Sequence, residues 1–328
     1  MHTRSLRLAL VAVTALALTA CSSGGPDDAT VTPTVSGSSS APVVTSSAAS
    51  TPPATVATTS AAPAPPPPQL PRGGRQIFPA NRVVAYYGGP DGPGLGVLGA
   101  ADPDDIAASI EQRATEWAGY GRPVIPAMEL IVTVASPCTA TVPLCSRPIP
   151  AAAIQRYLDA AHRHKLLLIL DFQPGRGEFL PQVQAVEPFL TDPSVSVALD
   201  PEWKLGPDEF PIETIGSASA ASVNAVGTYL SDLVIRNRLP DKLLVVHQFR
   251  TSMLPDRQAI AAVPGVENLV HADGFGTPSG KLATWQALAI PNPPFHTGFK
   301  LFLKQDIDIM SPAQVMALTP QPDLITYQ

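Results

Sequence analysis

Leu166-Leu167-Leu168-Ile169-Leu170-Asp171-Phe172-Gln173 decides the fold. An aliphatic run with no polar face must be covered on both sides, which is the condition of a parallel sheet wrapped by helices. The run turns acidic only at Asp171, and a buried strand ending in a carboxylate wastes burial unless that end is wet or reactive. Comparable apolar runs lie to either side: Val83–Gly88, Val124–Val134, Val195–Leu199, Leu243–Phe249, Leu269–Ala272, Phe299–Lys304 and Leu324–Tyr327. Between the runs lie segments of helix-compatible spacing: Asp104–Tyr120, Ala151–Lys165, Pro181–Leu190, Ser217–Arg238, Asp256–Ala262, Leu282–Ala289 and Pro312–Leu318. Such alternation is the signature of repeated βα units. Asp102-Pro103-Asp104-Asp105 opens the first helix with acidic residues, and Ser311-Pro312 opens the last with proline in its first turn. Eight strands without a Gly-rich dinucleotide turn after the first predict a (β/α)8 TIM-like barrel, an α/β fold, rather than an open doubly wound sheet. The sequence ends at Gln328, beside the eighth strand, so the barrel is expected to lack its final helix, with Arg72–Phe78 covering that strand instead.

The 328 residues carry a net charge of −6, with 45% hydrophobic residues, 15% charged residues and 38 prolines. An acidic chain lacks the basic footprint of a nucleic-acid binder. The composition is uneven. From Ser22 to Pro71 the chain is almost entirely Ser, Thr, Ala, Pro, Val and Gly, ending in a proline run. This Pro/Ser/Thr/Ala-rich linker cannot bury enough apolar surface to offset chain ordering and is expected to be a disordered tether. At about 3.1 Å per residue in extended polyproline form, it reaches on the order of 100 Å. Residues 72–328 are expected to form one barrel domain that carries the whole net charge.

Residues 1–21 read as an export signal: Arg4 and Arg7, an apolar run from Leu8 to Leu18 too short to span a bilayer, then small residues. Leu18-Thr19-Ala20-Cys21 resembles the lipobox of bacterial lipoproteins, which implies lipidation of Cys21 and attachment to the cell membrane on its extracytoplasmic side. Several acyl chains hold a protein at a membrane because each buried methylene contributes about 0.8 kcal/mol. The remaining cysteines, Cys138 and Cys145, are expected to pair in an oxidising compartment, closing a short loop that adds roughly 2–3 kcal/mol in the chain-entropy model.

Polar residues gather where the apolar runs end, and in a barrel those ends surround a common mouth. They include Asp171 and Gln173, Asp200-Pro201-Glu202-Trp203, His247-Gln248, His271-Ala272-Asp273 and Lys304-Gln305-Asp306. If the fourth strand continues through Pro201, Asp200 and Glu202 share a face. Neighbouring carboxyls repel, so one holds its proton to higher pH while the other stays ionised. The alternative is that Asp200 caps a turn and Glu202 faces water.

The Leu-Asp-x-Glu pattern at Leu199–Glu202 resembles the acid-bearing strand of TIM-barrel glycoside hydrolases, including the family 25 lysozymes and the family 18 chitinase group. The resemblance implies Glu202 as general acid and Asp200 as its electrostatic partner. Asp171, Asp273 or Asp306 would supply the opposing carboxylate, Asp306 because retaining barrel glycosidases often draw the nucleophile from the seventh strand. The first strand departs from the lysozyme pattern, offering Tyr86-Tyr87-Gly88-Gly89 in place of an aspartate. Trp203, Tyr86, Tyr87 and Phe275 are candidate sugar platforms, and His247, Gln248 and His271 candidate substrate contacts; Trp117 and Trp285 are assigned to the helix-facing core. The expected protein is a lipid-anchored, extracytoplasmic glycoside hydrolase-like enzyme acting on a cell-envelope polysaccharide by carboxylate acid/base chemistry, without a cofactor. Two alternatives stay open: a barrel that binds envelope glycan without cleaving it, and a metal-dependent hydrolase using His247, His271, Asp273 and Asp171, against which stands the lack of His-x-His in the first strand.

Overall fold

The computed structural model describes residues 66–289 and 295–328, so Cys21, the export signal and nearly all of the tether lie outside the described residues. Nine strands occur in chain order: β1 (Arg82–Gly88), β2 (Val124–Ala135), β3 (Ser146–Pro148), β4 (Leu167–Phe172), β5 (Val195–Leu199), β6 (Lys242–Gln248), β7 (Val266–Ala272), β8 (Phe295–Leu301) and β9 (Leu324–Tyr327). All but β3 pair in parallel, and β1 bonds to both β2 and β9, closing an eight-stranded barrel. The short β3 adds antiparallel to the end of β2. The helices are α1 (Pro103–Thr115), α2 (Ala151–His164), α3 (Phe179–Gln184), α4 (Glu187–Leu190), α5 (Ala220–Asn237), α6 (Pro278–Leu288) and α7 (Pro312–Met316). None of the described helices is long and apolar enough to cross a membrane.

Three elements differ from the sequence expectation, each for a local reason. The helix expected over Pro181–Leu190 is two helices, because Pro188 sits in the first turn of α4 and cannot continue the one before it. The helix expected over Asp256–Ala262 is a 3-10 turn at Arg257–Ala259, hemmed in by Pro255 and Pro264. Asp256 instead caps α5, accepting a hydrogen bond from Ala220 N at 2.8 Å. The seventh barrel strand runs over Phe295–Leu301 rather than Phe299–Lys304.

Period-two alternation sorts the strand residues into two cores. Outward-facing Val84, Met128, Leu168, Val197, Val246 and Phe299 pack against the helices, with Trp117 and Trp285 buried in the same layer. Inward-facing Val83, Ala85, Ile125, Ala127, Leu167, Ile169, Ala198, Leu243, Val245, Leu269 and Leu324 fill the lower barrel. Leu70, Ile77 and Phe78 belong to this inner core. The segment Arg72–Phe78 therefore plugs the bottom of the barrel and does not cover the outer face of the last strand, and Leu70, expected in the tether, is buried with it. That outer face is covered by the α1 region: Tyr327 makes edge contacts with Trp117 and Tyr86, and Arg113 lies 4.9 Å from its ring centre.

Candidate functional site

Two residues further up each strand, the inward positions become polar. Tyr87 on β1, Glu129 on β2, Asp171 on β4, His247 on β6, His271 on β7, Lys300 on β8 and Thr326 on β9 are all buried. Alternation alone places them together: six follow a residue of the apolar inner layer by two positions on their own strands, and Lys300 follows Gly298 by two.

His247 is the centre of this layer. Its Nε2 donates to Glu129 Oε1 at 2.9 Å, and its Nδ1 lies 3.0 Å from Asp273 Oδ2 and 3.3 Å from His271 Nδ1. With a carboxylate at each nitrogen, the ring is an imidazolium: burial alone would lower its pKa, but Glu129 and Asp273 hold it well above the ordinary value. A ring that donates from both nitrogens has no lone pair for a metal. Among the described residues no group of His, Cys, Asp or Glu is arranged to hold a metal ion.

The neighbours follow from that cation. Burial would raise Glu129, but the imidazolium holds it below the usual carboxylate range, and Thr326 Oγ1 donates to its other oxygen at 3.1 Å. Asp273 is likewise kept ionised against burial, first by the Lys300 ammonium 3.0 Å away and then by His247. Lys300 also lies 3.6 Å from the centre of the Tyr87 ring, a cation on a π face. His271, buried beside the imidazolium, is lowered to about 3 and stays neutral, with Nε2 unpartnered. Its ring occupies space that only glycine leaves free: a Cβ at Gly298 would lie 2.2 Å from His271 Cδ2.

The remaining carboxyls go the other way. Burial raises Asp171 to about 7; Tyr87 Oη donates to its Oδ2 at 2.9 Å, while Oδ1 has no hydrogen-bond partner. Burial also raises Asp200, which Asp171 and Glu202 push further. Glu202 is raised by burial and then by the Asp273 carboxylate.

The strand does not continue through Pro201. It ends at Leu199, and Pro201–Trp203 forms a 3-10 turn whose cap is Asp200, accepting from Glu202 N at 3.2 Å. Asp200 and Glu202 thus do not share a strand face; the turn brings both to the cavity instead. The returning chain clamps the turn: Gly216 N donates to Glu202 O at 2.7 Å, and a Cβ at Gly216 would meet Lys204 O at 2.3 Å.

Above the polar layer lies a cavity of about 800 Å³. Tyr87, Gln173, Asp200, Glu202, Trp203, Asp273, Phe275 and Lys300 line it, whereas Glu129, Asp171, His247 and His271 lie beneath. The Cys138–Cys145 disulfide closes a loop whose Cys138 forms part of the wall.

Three expected site residues stand elsewhere. Tyr86 points outward into the helix-facing core, because its neighbour Tyr87 takes the inward position. Gln248 faces outward for the same reason beside His247, accepting from Arg257 at 3.0 Å and donating to Arg250 O. Asp306 lies beyond the true end of β8 and clamps two loops, accepting from Phe302 N and Gly276 N and pairing with Lys281 at 3.1 Å. Two central residues, Glu129 and Lys300, are absent from the sequence expectation. Glu129 carries a signal in the sequence, as the single charge in the apolar run Val124–Ala135.

The fold and this mouth define a (β/α)8 barrel protein with an ionised cavity floor. Compared with known proteins, the chain matches no family model, and no curated protein is similar to it.

Proposed function

We propose that this protein is a glycoside hydrolase-like enzyme in which Glu202 is the general acid and Asp273 the opposing carboxylate. The observation that carries the reading is a divergence of protonation across one cavity: Glu202 is pushed up by burial and by Asp273, while Lys300 and His247 keep Asp273 ionised. An acid that holds its proton to higher pH, set beside a carboxylate kept ionised, is the division of labour that glycosidic cleavage needs. Lys300 and His247 meet the same oxygen of Asp273, Oδ2, which leaves Oδ1 for substrate or an attacking water. Asp200, buried and proton-retaining, tunes Glu202 and caps the turn that bears it. Trp203 and Tyr87 supply ring surface beside these groups.

The substrate in this reading is a cell-envelope polysaccharide, and the protein is held outside the cytoplasm by a lipid on Cys21. Three features support that location: the signal-like residues 1–21, the lipobox-like Leu18–Cys21 and a disulfide suited to an oxidising compartment. The test is release of reducing ends from fractionated envelope glycans by the purified full chain, alongside Glu202→Gln. Release that the substitution lowers by about 10²- to 10⁴-fold supports the acid assignment. Glycan retained without release by the wild type indicates the binding barrel, and release unaffected by the substitution removes Glu202 from the chemistry.

A further inference from the structure

Four large apolar side chains that the fold leaves exposed, Leu95, Phe210, Ile212 and Phe275, stand around one opening, that of the cavity above Lys300 and Asp273. They arrive on loops that follow β1, β5 and β7, so chain proximity accounts only for the pair Phe210 and Ile212. Exposed apolar surface concentrated at a cavity mouth marks a ligand-binding groove. Ile212 is 90% exposed with φ of 74°, a left-handed conformation that a β-branched residue holds only under constraint. The constraint comes from behind the loop. Arg176 donates to Glu209 O at 2.9 and 3.1 Å and lies 4.8 Å from the Phe210 ring centre, while the Glu209 carboxylate accepts from Gly206 N at 2.6 Å. These bonds fix the loop that carries the apolar tip at the opening. Beneath Phe275, Phe302 lies at 5.8 Å ring to ring and 5.3 Å from Lys300 Nζ, so the wall grades from apolar rim to charged floor.

We infer that the site takes a glycoconjugate bearing an apolar chain, with the sugar against the ionised floor and the chain along the rim of Phe210, Ile212 and Phe275. The inference rests on the glycan reading above and narrows its substrate class. A sugar ring stacks on a phenyl face, but Leu95 and Ile212 offer it neither a flat ring nor donors and acceptors, whereas an alkyl or acyl chain needs only the apolar area that all four side chains present.

The experiment is titration of the full chain with n-alkyl β-glucosides from hexyl to decyl, below their micelle concentrations, followed by tryptophan fluorescence. Trp203 lines the cavity, whereas Trp117 and Trp285 are buried and insensitive to it. The dissociation constant is expected to fall about three- to fourfold per added methylene in the wild type. The series is expected to be distinctly shallower in the double variant Ile212→Ser/Phe275→Ser, which keeps Phe210 and Leu95 and whose exposed positions leave the core intact. A flat series in the wild type, or equal steepness in the double variant, overturns the inference. Binding requires no turnover, so the two readings fail separately. Chain-length dependence without glycan cleavage removes the carboxylate chemistry alone, and glycan cleavage with a flat series removes the apolar chain alone.

Discussion

Lys300 Nζ lies 3.0 Å from Asp273 Oδ2, joining the penultimate residue of β8 to the residue that follows β7. Both groups are charged and nearly dry, so the pair is a fixed field beneath the cavity. Replacing Lys300 with Met removes the main attraction that keeps Asp273 ionised, and its pKa rises. The acid limb of the kcat/KM profile, where Asp273 takes up its proton, is expected to move to higher pH. A limb that stays in place in Lys300→Met would dissociate Asp273 from the rate.

His247→Gln is expected to destabilise the fold by about 3–5 kcal/mol, because it leaves the Glu129 and Asp273 carboxylates buried around a lost cation. Urea unfolding of wild type and variant measures the difference directly. A change within 1 kcal/mol or so, the scale of an exposed pair, would mean that the ring is not the charged centre of the barrel.

Asp171 predicts a slope of stability with pH. Its folded pKa of about 7 stands above the ordinary aspartate value of 3.8. Between the two, the folded protein holds a proton that the unfolded chain has released, so Asp171 costs stability as pH rises through that window. Asp171→Asn cannot ionise and sheds the cost. Its stability relative to wild type is therefore expected to climb from pH 4 to pH 7 and level off above, read by urea midpoints at fixed pH. A difference that falls over the same window contradicts a proton-bearing Asp171.

Gly298→Ala tests the packing below the site. Alanine in a strand is ordinarily better than glycine by roughly 0.5–1 kcal/mol. At this position its Cβ would lie 2.2 Å from His271 Cδ2 and 2.9 Å from Leu269 Cδ2. The expected result is a loss of about 1–3 kcal/mol in thermal or urea unfolding. A gain would show that His271 moves aside freely.

The barrel is legible in the sequence because fully covered strands read as apolar runs: Leu166–Leu170 calls for a parallel sheet with both faces buried, and the count of eight runs without a Gly-rich turn selects the closed form. The cavity floor is legible only in part. Asp171, His247, His271 and Asp273 end their runs and announce themselves, but Glu129 is hidden inside the apolar run of β2. Lys300 is missed for a different reason: the first half of β8, Phe295-His296-Thr297-Gly298, breaks the apolar pattern because Gly298 must make room for His271. That displaces the apparent strand by several residues and draws attention to Asp306, a loop clamp. Tyr86 and Gln248 follow from naming neighbours in pairs where alternation admits only one. The turn at Pro201 shows how a residue that ends a strand can still deliver both of its neighbours to the same cavity.

The central claim is that Glu202 gives a proton to the departing oxygen, and the direct measurement varies the need for that proton. Glu202→Gln and wild type are compared on the native glycan and on dinitrophenyl glycosides of the sugar it releases, whose leaving group departs without protonation. The account predicts a loss of about 10²- to 10⁴-fold on the glycan and little loss on the activated glycosides. Equal losses on both, or no loss on either, would contradict it.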